Sequence, residues 1–303
     1  MYRQKSNSFI IYIVIAVLIA VIVLSVILFN GNTTYPDVVT TDAQFEQMVY
    51  ECASHYKTKI KFKTSLDLRN YDFDILFRKI MDTDTYIGCE LYRYAYHYTF
   101  GSDGLMNVEL RIDKPSRYRV FMTKLRVKQI AGHLRNLDTY DQVKAVHDYL
   151  VSTNEYNMTF DTAYNCLYVN KSACNGYAYS FYAIMEELGV PATVEYGGKH
   201  AWNSVQIDGE WYNLDCTWDD NGGIKYDYFL KSNDDFKDHE HVSGTAAESF
   251  DMAKAGPSDY YHRIPPYREL TIIFAFCIPV ISYFVIKIIR VMKRRKERKE
   301  LFG

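Results

Sequence analysis

Residues 172–220 read SACNGYAYSFYAIMEELGVPATVEYGGKHAWNSVQIDGEWYNLDCTWDD. After Cys174 come Tyr177, Phe181, Ile184 and Leu188, spaced four, three and four apart, the period of one buried helix face. Gly189 and Pro191 then supply a helix stop. A helix is therefore predicted to open at Cys174. Residues 200–207 and 210–218 are apolar-rich runs joined by Asp208-Gly209, a two-residue loop that favours a type I′ hairpin. The stretch predicts a helix followed by an antiparallel pair, and with it an α+β domain.

The hairpin register carries chemistry. With 208 and 209 as the turn, His200 falls opposite Thr217 and Trp202 opposite Asp215. Residues two apart on a strand share a face, so His200, Trp202, Asp215 and Thr217 project to one side. His200 and Asp215 become diagonal neighbours, about 7–8 Å apart, a gap that an imidazole and a carboxylate can bridge. Cys216 faces the other way, as a core residue or half of a disulfide. Cys174, at a helix N-terminus, meets the positive end of the helix dipole and unpaired N–H groups, which favour a thiolate. Taken alone it reads equally as an inert buried cysteine. Joined to His200 and Asp215 it completes a nucleophile, a base and an orienter. Asn175-Gly176 keeps side chains small or polar where a substrate backbone would approach.

Outward from this stretch, residues 119–137 and 139–152 read as two helices, with Asp138 or Thr139 capping the second. Val143, Val146, Tyr149 and Leu150 form its apolar stripe, and His147 beside them reads as structural. Residues 156–172 are mixed and read as loops. Further upstream, Thr41 to Gln44 has the form of a capping box, and Phe45, Met48, Val49, Cys52, Ala53 and Tyr56 follow at helical spacing. Residues 59–63 alternate as a strand. Phe73, Leu76, Phe77 and Ile80 suggest a helix. Tyr92 to Phe100 and Val108 to Ile112 alternate around Gly101-Ser102-Asp103-Gly104, a hairpin signal.

The ends of the chain are different. Residues 9–29 are apolar except for Ser25 and Tyr12, long enough to cross a hydrocarbon core of about 30 Å. The run is longer than a signal-peptide core and lacks a small-residue cleavage site, so it reads as an uncleaved signal anchor. Residues 270–289 form a second apolar run, with Pro279 inside it and Lys287 near its end; a C-terminal core helix is the alternative reading. Arg3 and Lys5 precede the first run, and eight basic residues against two acidic ones occupy 287–303. The positive-inside rule then places both termini in the cytoplasm and the middle of the chain outside. The whole 303-residue chain has a net charge of −2, so that middle is acidic, which argues against nucleic acid. Six cysteines without a CxxC pair argue against a zinc site; one disulfide among Cys52, Cys89, Cys166 and Cys216 remains open. The 28 tyrosines read as aromatic strands and surfaces.

Residues 139–241, about a third of the chain, resemble the transglutaminase-like superfamily of papain-related folds in its bacterial, membrane-associated form. HDYLVSTNEY at 147–156, AYNCLYVNKSACNGYA at 163–178, KHAWNSVQIDGEWYNLDCTWDD at 199–220 and YFLKSNDDFKDH at 228–239 carry the resemblance. It implies a papain-like α+β core, with a helix at the active cysteine and an antiparallel sheet. It implies Cys174 as nucleophile, His200 as general base and acid, and Asp215 as its partner. An oxyanion would be held by the Cys174 N–H and a side chain from Tyr164 or Asn165. Trp202 would wall the cleft or belong to the core. The implied reaction is cysteine-dependent acyl transfer on a protein or peptide, closed by an amine or by water, without metal or organic cofactor. The different-class alternative is a catalytically silent binding or scaffold domain. The expected organisation is a cytoplasmic tail at 1–8, a span at 9–29, a small α+β segment at 30–118 and a transglutaminase-like domain at 119–240. A linker at 241–268, a span at 270–289 and a basic cytoplasmic tail at 290–303 complete it. The site would then lie outside the cell on a two-pass membrane protein.

Overall fold

The computed structural model describes residues 36–91, 93–112, 116–239, 248–251, 260–265 and 287. Among these no helix is long and apolar enough to cross a membrane. The predicted spans at 9–29 and 270–289 lie outside the described residues, apart from Lys287. The chain divides into two compact units, Met1–Ile87 with Arg93–Arg117, and Gly88–Tyr92 with Tyr118–Gly303.

The first unit is built on a four-stranded sheet in the order β1-β2-β4-β3. Its strands are β1 (Val38–Val39), β2 (Lys59–Thr64), β3 (Tyr94–Phe100) and β4 (Met106–Ile112). β1 runs parallel to β2, and the other neighbours are antiparallel. β2 alternates exposed lysines with buried Ile60, Phe62 and Thr64, as a strand covered on one face must. The helix Asp42–Ser54 buries Phe45, Met48, Val49, Cys52 and Ala53. Thr41 caps it, accepting the Gln44 N–H at 3.3 Å, while Gln44 Oε1 reaches back to the Thr40 N–H at 2.8 Å. That return bond falls one residue earlier than in a regular capping box. The helix Phe73–Thr83 buries Phe73, Leu76, Phe77, Ile80 and Met81. On β3, Tyr94, Tyr96 and Tyr98 stack at 6.5 and 6.2 Å, with Phe73 over Tyr94 at 3.8 Å. An aromatic strand thus absorbs part of the tyrosine excess.

The second unit packs three main helices with a three-stranded antiparallel sheet. The helices are Arg117–Leu134, whose first residue falls in the other unit, Thr139–Thr153 and Cys174–Leu188. Residues 156–172, read as loops, hold more order than their sequence declares. β5 (Glu155–Tyr156) pairs in parallel with β6 (Lys171–Ser172), and a π-helical turn spans Asn165–Val169. The sheet runs β7 (Ala192–Gly197), β8 (His200–Ile207), β9 (Glu210–Leu214). β7 was not anticipated; its Gly198-Lys199 turn, with φ of 58° and 67°, was the available signal.

The β8–β9 hairpin has the predicted turn and register. Asp208 and Gly209 both take positive φ, and Asn203 pairs with Leu214 and Ile207 with Glu210. The expected strand at 210–218 nevertheless stops at Leu214. Asp215 turns out of the sheet as the N-cap of a short helix, Cys216–Asp219. The cross-strand pairs expected for Trp202 with Asp215 and for His200 with Thr217 are therefore not formed. The cause is capping. Asp215 accepts N–H groups from Thr217 and Trp218, an arrangement with which a continued ladder cannot coexist. Among the described residues, no disulfide joins Cys52, Cys89, Cys166, Cys174 or Cys216.

Candidate active site

The helix Cys174–Leu188 begins at its thiol. Its N-cap, Ala173, has no oxygen to offer. Asp161 fills that role from a distance, accepting the Asn175 N–H at 3.1 Å and Asn175 Nδ2 at 2.8 Å. Gly176 follows because there is no room for a side chain. A Cβ there would sit 1.8 Å from Ser172 Oγ and 2.8 Å from the Thr162 carbonyl. Close packing of the cysteine loop, rather than substrate access, accounts for this glycine. Cys174 is partly exposed, whereas Cys52, Cys89, Cys166 and Cys216 are buried. Burial pushes the thiols of Cys52 and Cys166 up to about 11 and about 12, and that of Cys216 well above its ordinary value.

His200 is delivered by the Gly198-Lys199 turn as the first residue of β8, paired with Gly197. Its Nε2 lies 2.6 Å from Asp215 Oδ2. Cys174 lies close enough to the ring to act on its charge. Burial alone would push this imidazole down. Its hydrogen bond to Asp215, and the charges of Asp215 and Cys174, outweigh burial and raise it to about 9.

Asp215 is 1% exposed, yet all four of its acceptor directions are filled. Oδ1 takes the N–H groups of Thr217 and Trp218 at 2.8 and 3.2 Å. Oδ2 lies 2.6 Å from His200 Nε2 and 3.2 Å from His239 Nε2. Burial favours the protonated acid, but the bonds to His200 and His239 overcome it and hold the carboxyl below its ordinary value. The aromatic rings around the pair divide its surroundings. Trp218, 37% exposed, lies over the His200 ring at 5.1 Å and 22°, shielding the His200–Asp215 bond on the solvent side. Trp202, 1% exposed, lies 6.0 Å from His200, in the core rather than on a cleft wall.

Both side chains expected at the oxyanion have neighbours of their own. Tyr164 stacks on Tyr168 and meets Tyr118 and Arg119. Asn165 is buried, with its Oδ1 accepting from Thr162 Oγ1 at 2.7 Å. Tyr156 is placed differently. It pairs with Ser172, two residues before the thiol, and is 48% exposed. Its phenol is raised by partial burial and by the charges of Cys174, Asp161 and Asp215, which keeps it an O–H donor. His239, Trp218, Tyr156 and Asp161 were not singled out from the sequence. No periodicity links them, and only the fold brings them to Cys174 and Asp215.

His200, Asp215 and His239 offer ligand atoms within 4.8 Å of one another. Around a tetrahedral zinc at about 2.1 Å, two ligand atoms stand roughly 3.4 Å apart. The 2.6 Å from His200 to Asp215 is a charge-assisted hydrogen bond instead. The residues as arranged do not fit a metal.

Residues 128–216 match the family model of the transglutaminase-like superfamily, so the chain carries a domain of that superfamily. Two solved structures share the similarity. A candidate cysteine protease from Cytophaga hutchinsonii is 16% identical, over 42% of this chain and 65% of that one, with a TM-score of 0.27. A TGase is 14% identical, over 62% of this chain and 61% of that one, with a TM-score of 0.30. The chain thus spans less than two thirds of either structure. No curated protein matches it significantly.

Proposed function

We propose that the protein is a cysteine-dependent acyl transferase or peptidase of transglutaminase-like type. It acts on protein or peptide carboxamides through Cys174, His200 and Asp215. The observation that carries this reading is the 2.6 Å hydrogen bond between His200 Nε2 and the buried Asp215, with Cys174, the only partly exposed thiol among the described cysteines, close enough to His200 for its charge to act on the imidazole.

The chemistry follows from the geometry. His200 holds the thiol proton, and Cys174 sulfur attacks the carbonyl carbon to form a C–S bond. The carbonyl oxygen takes the negative charge, stabilised by the Cys174 N–H at the helix N-terminus and by the Tyr156 hydroxyl. As the intermediate collapses, the C–N bond breaks and His200 gives its proton to the departing nitrogen. The thioester that remains is opened by an amine or by water, deprotonated by His200, and the thiol is restored. Asp215 keeps the imidazole oriented and stabilises its charged form. Tyr156 joins Tyr164 and Asn165 as a candidate side-chain donor to the oxyanion.

The apolar runs at 9–29 and 270–289, each with basic residues on its outer flank, support an extracytoplasmic domain held by two membrane anchors. Surface proteins and wall peptides are the corresponding substrates. The test is to incubate the full chain with fluorogenic peptides and with a fluorescent primary amine plus a glutamine peptide. Turnover lost in Cys174→Ala, His200→Ala and Asp215→Ala is expected. Wild-type protein inert toward both reactions, with no alkylation at Cys174, sinks the proposal and leaves the silent scaffold reading.

A further inference from the structure

Asp215 receives more hydrogen bonds than the orientation of one imidazole requires. His239 Nε2 stands 3.2 Å from the same Oδ2 that His200 holds. His239 is 6% exposed, and its Nδ1 has no partner among the described residues. An unmatched buried polar nitrogen is destabilising, a penalty that a phenylalanine in the same place would avoid. The surroundings suit a phenylalanine. Phe236 stacks on the ring at 3.8 Å and 18°, Trp218 lies at 4.3 Å and Trp202 stands edge-on at 4.6 Å. What the histidine adds to an apolar ring is one N–H. With Nδ1 facing no acceptor, the ring proton belongs on Nε2, the nitrogen that meets the carboxylate. The turn that delivers the ring is itself pinned. The His239 N–H donates to the Phe236 carbonyl at 3.2 Å, and Asp235 accepts the hydroxyls of Ser232 and Ser249 at 3.3 and 2.6 Å.

We propose that His239 is a positioning residue for the catalytic aspartate, its Nε2–H fixing the carboxylate so that Oδ2 stays presented to His200. The proposal rests on the reading of Cys174, His200 and Asp215 given above. Two backbone N–H groups fix Oδ1, and His239 supplies the second fixed point of the carboxylate plane.

The test uses the full chain with isotopically labelled histidine. His239→Phe keeps the stacked ring and removes the donor, whereas His239→Gln removes the ring and keeps a donor. The readouts are the NMR titration of the His200 ring and the rate of Cys174 alkylation by iodoacetamide at pH 7. In His239→Phe the His200 titration is expected to fall from about 9 toward 6.5. Alkylation of Cys174 should slow in the same variant. His239→Gln should stay near wild type. The reverse pattern, or equal damage in both variants, overturns the proposal, because the ring would then matter only for packing. A chelator that shifts the wild-type His200 and His239 signals also overturns it, in favour of a metal site. Wild-type protein with a raised His200 titration but no amide turnover sinks the enzymatic reading alone. An ordinary His200 titration in the wild type sinks both.

Discussion

At the scale of residues, the acid–base state of His200 governs the expected chemistry. Its pKa is raised from 6.5 to about 9, so the imidazolium that protonates a leaving nitrogen is present through neutral pH and lost above about 9. The alkaline limb of kcat/KM is expected near pH 9, read from a pH–rate profile. The linkage has the same sign. The stability this group contributes is complete below pH 6.5 and disappears as pH rises through about 9. Asp215→Asn keeps the shape but removes the charge that orients and stabilises the imidazolium. It should lower kcat by about 10³–10⁴-fold, measured under saturating peptide. Tyr156→Phe removes only a hydroxyl and should cost about 10²–10³-fold in kcat with little change in KM, as expected of an oxyanion donor. An unchanged kcat would remove Tyr156 from the site.

At the scale of elements, the cysteine helix and the β8–β9 hairpin show how far local rules reach. The helix start at Cys174 and its end at Gly189, with φ of 78°, follow from spacing and a left-handed cap. The hairpin register follows from Asp208-Gly209. The break after Leu214 does not. The apolar pattern continues through Trp218, and only the capping bonds of Asp215 show why the strand gives way to a helix. Gly176 was legible as a small residue but not for its reason. Gly176→Ala would drive a methyl into Ser172 Oγ and the Thr162 carbonyl. A loss of about 1–3 kcal/mol is expected, seen as a lower urea midpoint with an unchanged m-value. Stability equal to wild type would show that the loop yields.

At the scale of the whole molecule, a second buried histidine ties the unit together. His147 is 0% exposed and lies 2.9 Å from Asp148 Oδ1 and 3.0 Å from Asp219 Oδ2. Lys144 pairs with Asp148, and Tyr226 donates to the same carboxylate at 3.0 Å. The network joins the helix Thr139–Thr153 to the short helix that Asp215 caps. Burial pushes His147 down, but its bonds to Asp148 and Asp219 overcome this and raise it above 6.5. Its contribution to stability is therefore full below pH 6.5 and declines on the alkaline side as the raised value is passed. His147→Gln removes the imidazole between Asp148 and Asp219, leaving buried Asp219, among the described residues, with only the Tyr228 N–H and no cation, and should cost about 3–5 kcal/mol, with the urea midpoint compared at pH 6. A variant as stable as wild type would show that the network is not a strut. Membrane attachment is tested separately: the full chain should resist alkaline extraction, and deletion of both apolar runs should release it.

The sequence by itself determined what local physics can encode. Periodicity placed the Cys174 helix, two turn residues placed the β8–β9 hairpin, and their order brought Cys174, His200 and Asp215 into one candidate set. Alternation and capping likewise marked the helices and strands around Phe45, Phe62, Phe73 and Tyr96. The tertiary structure alone decided the groups that meet across distant segments. Asp161 caps the cysteine helix from outside it, Tyr156 pairs with Ser172 two residues before the thiol, and Trp218 stacks on His200. His239 arrives from a turn 24 residues beyond Asp215 to fill its last acceptor site. The physical reason is that helix and strand periods are short-range, whereas burying a charged aspartate requires donors from wherever the folded chain can supply them.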